Sequence, residues 1–149
     1  MSKRAGPARP IKASRKPKGK GVDELLEAAR KVRKRAYAPY SGFPVGAAVL
    51  AGGRVFTGVN VENASYPLSV CAERNAVAAA VAAGKTQIDA VAVVGSGDGP
   101  TPPCGGCRQV LAEFGPKTLV VSEALDGERA TWRLQDLLPD AFGRSSRRA

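Results

Sequence analysis

From Asp23 to about Arg35, apolar residues recur at Leu25, Leu26, Ala29, Val32 and Ala36, the spacing of one helical face. Asp23 and Glu24 stand in its first turn and basic residues in its last, which suits the helix macrodipole. Tyr37-Ala38-Pro39-Tyr40-Ser41-Gly42 breaks the pattern. Val45 to Leu50 is a run of small and β-branched residues that reads as a strand. Gly52-Gly53 predicts a two-residue turn, with Arg54 to Val59 returning as the second strand of a hairpin. Asn60 to Ser69 is a polar loop. Val70 to Ala83 is an alanine-rich helix ended by Gly84. Ile88 to Val94 is almost continuously apolar and reads as a strand buried on both faces. Ser96 to Pro103 is a Gly/Pro loop, and Cys104 to Phe114 is a third helix stopped by Gly115-Pro116. Thr118 to Ser122 and Ala130 to Leu134 are two more strands, and Gln135 to Leu138 is a short closing helix.

The order α-β-β-α-β-α-β-β, with buried strands alternating with helices, predicts an α/β fold with helices layered on a mixed five-stranded sheet. No internal repeat interrupts it. The apolar fraction of 44% is enough for an ordinary core, and the wealth of Ala, Gly and Val makes that core one of small side chains.

Charge divides the chain. The net charge is +10, yet residues 1–20 hold eight Lys/Arg and no acid, and residues 144–149 hold three Arg. The stretch 21–143 is nearly neutral. The basic excess therefore belongs to two tails, expected to be disordered, around one domain at 21–143. A solubility role, a weak nucleic-acid contact and an organelle-targeting role are all open for the first tail; its prolines and glycines count against the last. No stretch approaches the roughly 20 apolar residues of a membrane span, and the N-terminus lacks the apolar core of a secretory signal. Three cysteines, an odd number, argue against a disulfide framework and for reduced thiols in the cytoplasm.

Those cysteines carry the chemistry. They occur as Cys71-Ala72-Glu73-Arg74 and Pro103-Cys104-Gly105-Gly106-Cys107-Arg108, and the chain has no histidine. Cys71, Cys104 and Cys107 together can hold one Zn2+ and leave its fourth position for water. Glu73, two residues from a ligand, can then serve as the catalytic proton carrier without binding the metal. Each cluster opens a predicted helix, whose N–H groups and dipole favour thiolate. The strand Ile88 to Val94 would bring the two helix starts together at one sheet edge. Three thiolates leave the zinc site formally negative, which weakens the metal as a Lewis acid. Arg74, or Arg108, could draw charge off the sulfurs by hydrogen bonding to them. The other readings are three buried metal-free thiols, a redox CxxC that would leave Cys71 and Glu73 unexplained, and a structural zinc, which usually takes four protein ligands.

The pair CxE and PCxxC at this spacing resembles the signature of zinc-dependent deaminases. Tyr40-Ser41-Gly42-Phe43-Pro44-Val45-Gly46-Ala47 and Asn60-Val61-Glu62-Asn63-Ala64-Ser65-Tyr66-Pro67 extend the likeness, as does Leu137-Leu138-Pro139-Asp140-Ala141-Phe142-Gly143. From about Tyr37 to Phe142 the chain resembles the cytidine deaminase family, in its short, all-cysteine form. The resemblance implies a three-layer α-β-α fold, a homotetramer, and zinc-dependent hydrolysis of cytidine and deoxycytidine to uridine and deoxyuridine in pyrimidine salvage. Attack on C4 of the base would proceed with Glu73 moving protons to N3 and to the leaving ammonia. By the same resemblance Asn60 and Glu62 hold the ribose, Phe43 packs on the pyrimidine, and Tyr66 stands near the pocket and subunit contacts. Each has a plainer alternative: a loop cap for Asn60 and Glu62, core packing for Phe43 and Tyr66. A same-fold deaminase of another aminonucleoside, such as blasticidin S, is the first rival. A nucleic-acid binding or editing protein using the basic tail is the second.

Overall fold

Gly46–Ala51 (β1) is buried along its whole length in a computed structural model that describes residues 21–143. The expectations for the two basic tails fall on residues 1–20 and 144–149, outside that span. β1 pairs antiparallel with Arg54–Val59 (β2) on one side and with Ala90–Val94 (β3) on the other. β3 runs parallel to Leu119–Glu123 (β4), which pairs antiparallel with Arg129–Arg133 (β5). The mixed sheet has five strands in the order β2-β1-β3-β4-β5.

The hairpin turn lies where two glycines predicted it. Ala51 faces Arg54, and Gly52 and Gly53 take φ of 55° and 71°, the left-handed pair that a tight two-residue turn needs.

Alternation along β1 and β3 sends side chains to two cores. Ala48, Leu50, Ala90, Ala92 and Val94 face the helix Val22–Arg33 (α1), which buries Leu25, Leu26 and Ala29 against them. Each of those leucines, fully enclosed, contributes about 1.5–3 kcal/mol. Ala47, Val49, Val91 and Val93 face the other way, toward Ala72–Ala82 (α2), Gly105–Phe114 (α3) and Leu134–Leu137 (α4). Helices thus cover both faces, giving the three α-β-α layers expected. Small side chains at the strand positions let the helices press close. A Cβ on Gly58 of β2 would lie 2.3 Å from the backbone N of Ala76 and 2.4 Å from the carbonyl oxygen of Ala72, so α2 rests directly on that glycine.

Boundaries move by one or two residues from the sequence reading, each for a local reason. Val70 is not helical; it forms an antiparallel bridge with Val61. Cys71 and Cys104 cap their helices instead of lying inside them. Ile88 precedes its strand because its N–H bonds the carbonyl of Phe114 and its carbonyl accepts the Thr118 hydroxyl. The polar loop contains one 3-10 turn at Tyr66–Leu68.

Beside α1, the buried carboxylate of Glu123 accepts hydrogen bonds from Arg30 and Arg129, and Arg129 also pairs with Asp23 at 2.6 Å. This network ties both ends of α1 to the sheet, Asp23 to β5 and Arg30 to β4.

Candidate metal centre and active site

Two connections bring distant cysteines together. The chain leaves β2 at Val59 and β3 at Val94, both opposite Gly46 and so at the same end of the sheet. From the first exit, the loop 60–70 returns to start α2; from the second, the loop 95–103 returns to start α3. The helix starts meet at that end of the sheet. Asn75 of α2 donates its side-chain amide to the Val59 carbonyl at 2.8 Å, and Ser122 accepts the N–H of Thr101 at 2.8 Å. Neither anchor shows a local sequence pattern, and the sequence reading missed both.

The three sulfurs of Cys71, Cys104 and Cys107 lie within 4.8 Å of one another, and those of Cys71 and Cys104 are 3.9 Å apart. Two sulfurs each about 2.3 Å from a tetrahedral centre would stand about 3.8 Å apart, so the cluster suits zinc. Cys107 is buried, Cys71 half-buried and Cys104 exposed, which leaves one side of the cluster open to a ligand. Hydrogen bonding among the thiols governs their acidity. Bonds from Cys107 and Cys104, with the nearby charge of Arg74, hold the Cys71 thiol down to about 6 against the opposing effect of burial. Its hydrogen bond to Cys71, then burial and the charge of Glu73, push Cys107 up.

Glu73, in the first turn of α2, is only 5% exposed. Burial raises its carboxyl above the ordinary range, and the negative charge of Cys71 adds to that. The site therefore holds a carboxyl inclined to keep a proton beside one thiol, that of Cys71, inclined to lose it. Arg74 is exposed, with its charge acting on Cys71. Arg108, the alternative to Arg74, bonds two backbone carbonyls. Its guanidinium donates to the carbonyls of Pro103 at 2.8 Å and Leu137 at 2.9 Å, joining the Cys104 loop to α4.

The remaining predicted residues gather next to this cluster. Across the Val61–Val70 bridge, Asn60 falls opposite Cys71 and Glu62 opposite Ser69. Asn60 donates its amide to the Phe43 carbonyl at 2.9 Å and accepts the Val45 N–H at 2.8 Å. One amide hydrogen and one lone pair remain for another partner. Glu62 accepts the N–H groups of Tyr40 and Ser41, both at 3.0 Å, and the Ser41 hydroxyl at 2.5 Å. These bonds, the hydroxyl's first, hold it below the usual carboxylate range. Tyr40, Ser41, Glu62, Tyr66 and Ser69 line an open cleft of ≈ 320 Å³. The rings of Tyr40 and Tyr66 meet edge to face at 5.8 Å. Phe43 is half-buried against Gly95 and Gly97.

Comparison with known proteins agrees with this geometry. Residues 20–123 match the family described as the cytidine and deoxycytidylate deaminase zinc-binding region. The chain is similar to the cytidine deaminase of Sporosarcina psychrophila, 44% identical over 125 residues that cover 83% of this chain and 92% of the relative. It is 47% identical over 120 residues to that of Halalkalibacterium halodurans, covering 79% and 91%. Among solved structures, cytidine deaminase from Burkholderia pseudomallei superposes with a TM-score of 0.78 at 51% identity, covering 81% of this chain and 98% of that one. The Mycobacterium tuberculosis enzyme superposes at 0.72 and 45% identity, covering 81% and 96%.

Proposed function

The chain belongs to the cytidine and deoxycytidylate deaminase family, and on that premise we propose that it hydrolyses cytidine and deoxycytidine to their uridine counterparts with release of ammonia. The observation that carries this reading is a buried carboxyl, Glu73, two residues from a cluster of three converging cysteine sulfurs.

Cys71, Cys104 and Cys107 would hold the zinc. Bound there, zinc supplies the Lewis acidity that makes water nucleophilic near neutral pH. Glu73 takes the proton of the attacking water, delivers it to N3 of the base, and passes a second proton to the departing ammonia. A carboxyl raised by burial is suited to both halves of that exchange. The helix starts and Arg74 offset the negative charge of the sulfurs. Glu62 and Asn60 hold sugar hydroxyls with the hydrogen-bonding capacity left free by the loop. Phe43 packs on the pyrimidine, and Tyr66 borders the cleft.

The activity serves pyrimidine salvage in the cytoplasm, carried out by a homotetramer. Exposure of Tyr37, Tyr40, Tyr66, Leu68 and Phe142 supports self-association, since apolar groups of that size gain by being covered. Among the described residues no helix is long and apolar enough to cross a membrane.

Ammonia release from cytidine, deoxycytidine, cytosine and blasticidin S tests the reading. Turnover of the first two and little of the others is expected. Glu73→Gln is expected to retain zinc and to lose about 10²–10⁴ in rate. Faster turnover of blasticidin S would reassign the substrate, and full activity of Glu73→Gln would remove Glu73 from the chemistry.

A further inference from the structure

We propose that Arg33 and Ser96 form a positioning pair that fixes the ring of Phe43 for the substrate base, resting on the reading of Phe43 as the pyrimidine contact. The pair is a relay. Arg33, in the last turn of α1, donates to the Ser96 hydroxyl from Nε at 3.2 Å and from Nη2 at 2.9 Å. Ser96, just beyond β3, donates that hydroxyl to the Pro44 carbonyl at 2.6 Å, and Arg33 Nε reaches the same carbonyl at 3.3 Å. A guanidinium orients the serine oxygen from one side, so the hydroxyl hydrogen points at Pro44.

Pro44 directly follows Phe43, and its ring already limits the backbone there. The phenyl ring lies over the two glycines that flank Ser96. A Cβ on Gly95 would stand 3.3 Å from Cζ of Phe43, and one on Gly97 would stand 3.6 Å from Cε2. Ser96 therefore grips the Phe43-Pro44 backbone while its neighbours form the floor under the ring. Asn60, just beyond β2, holds the same backbone through the Phe43 carbonyl and the Val45 N–H. The two grips come from different elements and share no atom.

Arg33 is itself fixed. A Cβ on Gly46 would stand 2.8 Å from its Cβ, so α1 is pressed onto the first residue of β1 at this point. All of these Arg33 bonds go to neutral oxygens. Neither Arg33 nor Ser96 lines the cleft bordered by Glu62 and Tyr66. The shortest route from this pair toward the substrate base runs through the Phe43-Pro44 backbone that it holds.

A strut that merely joined α1 to the sheet would lower stability, and its loss would act independently of Phe43. A clamp on the ring would weaken substrate binding, and only while the ring is present. The test measures kcat and KM for cytidine in Ser96→Ala and Arg33→Lys, each alone and combined with Phe43→Ala. Zinc content and Tm are recorded for every variant. Ser96→Ala removes one oxygen, with its hydrogen bond to the Pro44 carbonyl, and leaves the backbone of residue 96 as it was, so it remains readable if Arg33→Lys folds poorly. Each clamp variant is expected to raise KM about fivefold, the worth of one hydrogen bond, with kcat within about twofold and zinc unchanged. In the Phe43→Ala background neither is expected to raise KM further. An unchanged KM in Ser96→Ala, beside a raised KM in Phe43→Ala, would overturn the clamp alone. The same fivefold rise persisting without the ring would also overturn it. An unchanged KM in Phe43→Ala would overturn the pyrimidine reading of that residue, and the clamp with it.

Discussion

Val61 and Val70 exchange backbone hydrogen bonds in both directions, each 2.9 Å long, and this bridge places the cleft beside the cysteine cluster. Asn60 and Glu62 flank one side of the bridge, and Ser69 and Cys71 flank the other. Because the backbone fixes the spacing, a side-chain change at Glu62 should act on the sugar without disturbing the metal. Glu62→Ala is expected to raise KM for cytidine at least tenfold and to leave zinc content at one equivalent. KM for a free-base substrate analogue lacking the sugar should change little. Equal losses on both substrates would show that Glu62 acts only by holding the Tyr40-Ser41 loop.

Cys104 is the exposed member of the cluster, so its replacement removes a ligand with little cost to packing. Cys104→Ser is expected to fall well below one zinc per chain by elemental analysis and to lose turnover while keeping a native circular dichroism spectrum. Stoichiometric zinc in active Cys104→Ser would refute the three-sulfur site.

Arg74 is exposed, yet its charge favours the thiolate of Cys71. Groups that support metal ligands in this way commonly affect metal affinity or activity by 10–100-fold. Arg74→Gln is therefore expected to lose zinc to a competing chelator at about tenfold lower chelator concentration. Arg74→Lys, which keeps the charge, should recover part of that. Identical chelator curves for Arg74→Gln and the parent would leave Arg74 without a role.

The elements were readable because local and global signals coincide. The apolar runs of β1 and β3, the glycine pair at 52–53 and the helical spacing of Leu25, Leu26 and Ala29 all agree with the fold that forms. The candidate metal cluster was readable because a chain with three cysteines and no histidine offers few other sets. What the sequence hid is tertiary. Val70 reads as the start of a helix because it is apolar and precedes alanines, and only pairing with Val61 draws it out. Arg108 sits next to a ligand in sequence, but its direction is set by the carbonyls of Pro103 and Leu137. Arg33 and Ser96 lie 63 residues apart and belong to no motif; α1 must pack on β1 before they meet.

Gly58 tests whether the seating of α2 matters to the site. An added methyl would fall 2.3–2.4 Å from the backbone of Ala72 and Ala76, too close for any rotamer to relieve. The helix must then shift, carrying Cys71 and Glu73 with it. Gly58→Ala is expected to destabilise the fold by about 1–3 kcal/mol, as overpacked cores do. It should also weaken zinc retention, which a change far from α2 of equal thermal cost should not. Unchanged melting and zinc affinity would mean that α2 is not seated as described.

Glu123 gives the fold a defined response to acid. Burial opposes its charge, but hydrogen bonds from Arg30 and Arg129 outweigh burial and hold its pKa below the ordinary 4.5. A carboxyl whose folded pKa is depressed binds fewer protons folded than unfolded. Its contribution is full above about 4.5 and is lost as the pH falls through the lower folded value. Glu123→Gln keeps the shape and removes the charge. The cost at pH 7 is expected near the low end of about 1–3 kcal/mol, because the arginine side chains are 41% and 45% exposed and water screens them. Melting temperatures of parent and variant should therefore differ most at pH 7 and draw together as the pH falls below about 4.5 toward the depressed folded value. Protonation of the cysteine site is common to both proteins and cancels in that difference. A gap that stayed constant down to pH 3 would show that the carboxylate's charge contributes nothing and that only its shape matters.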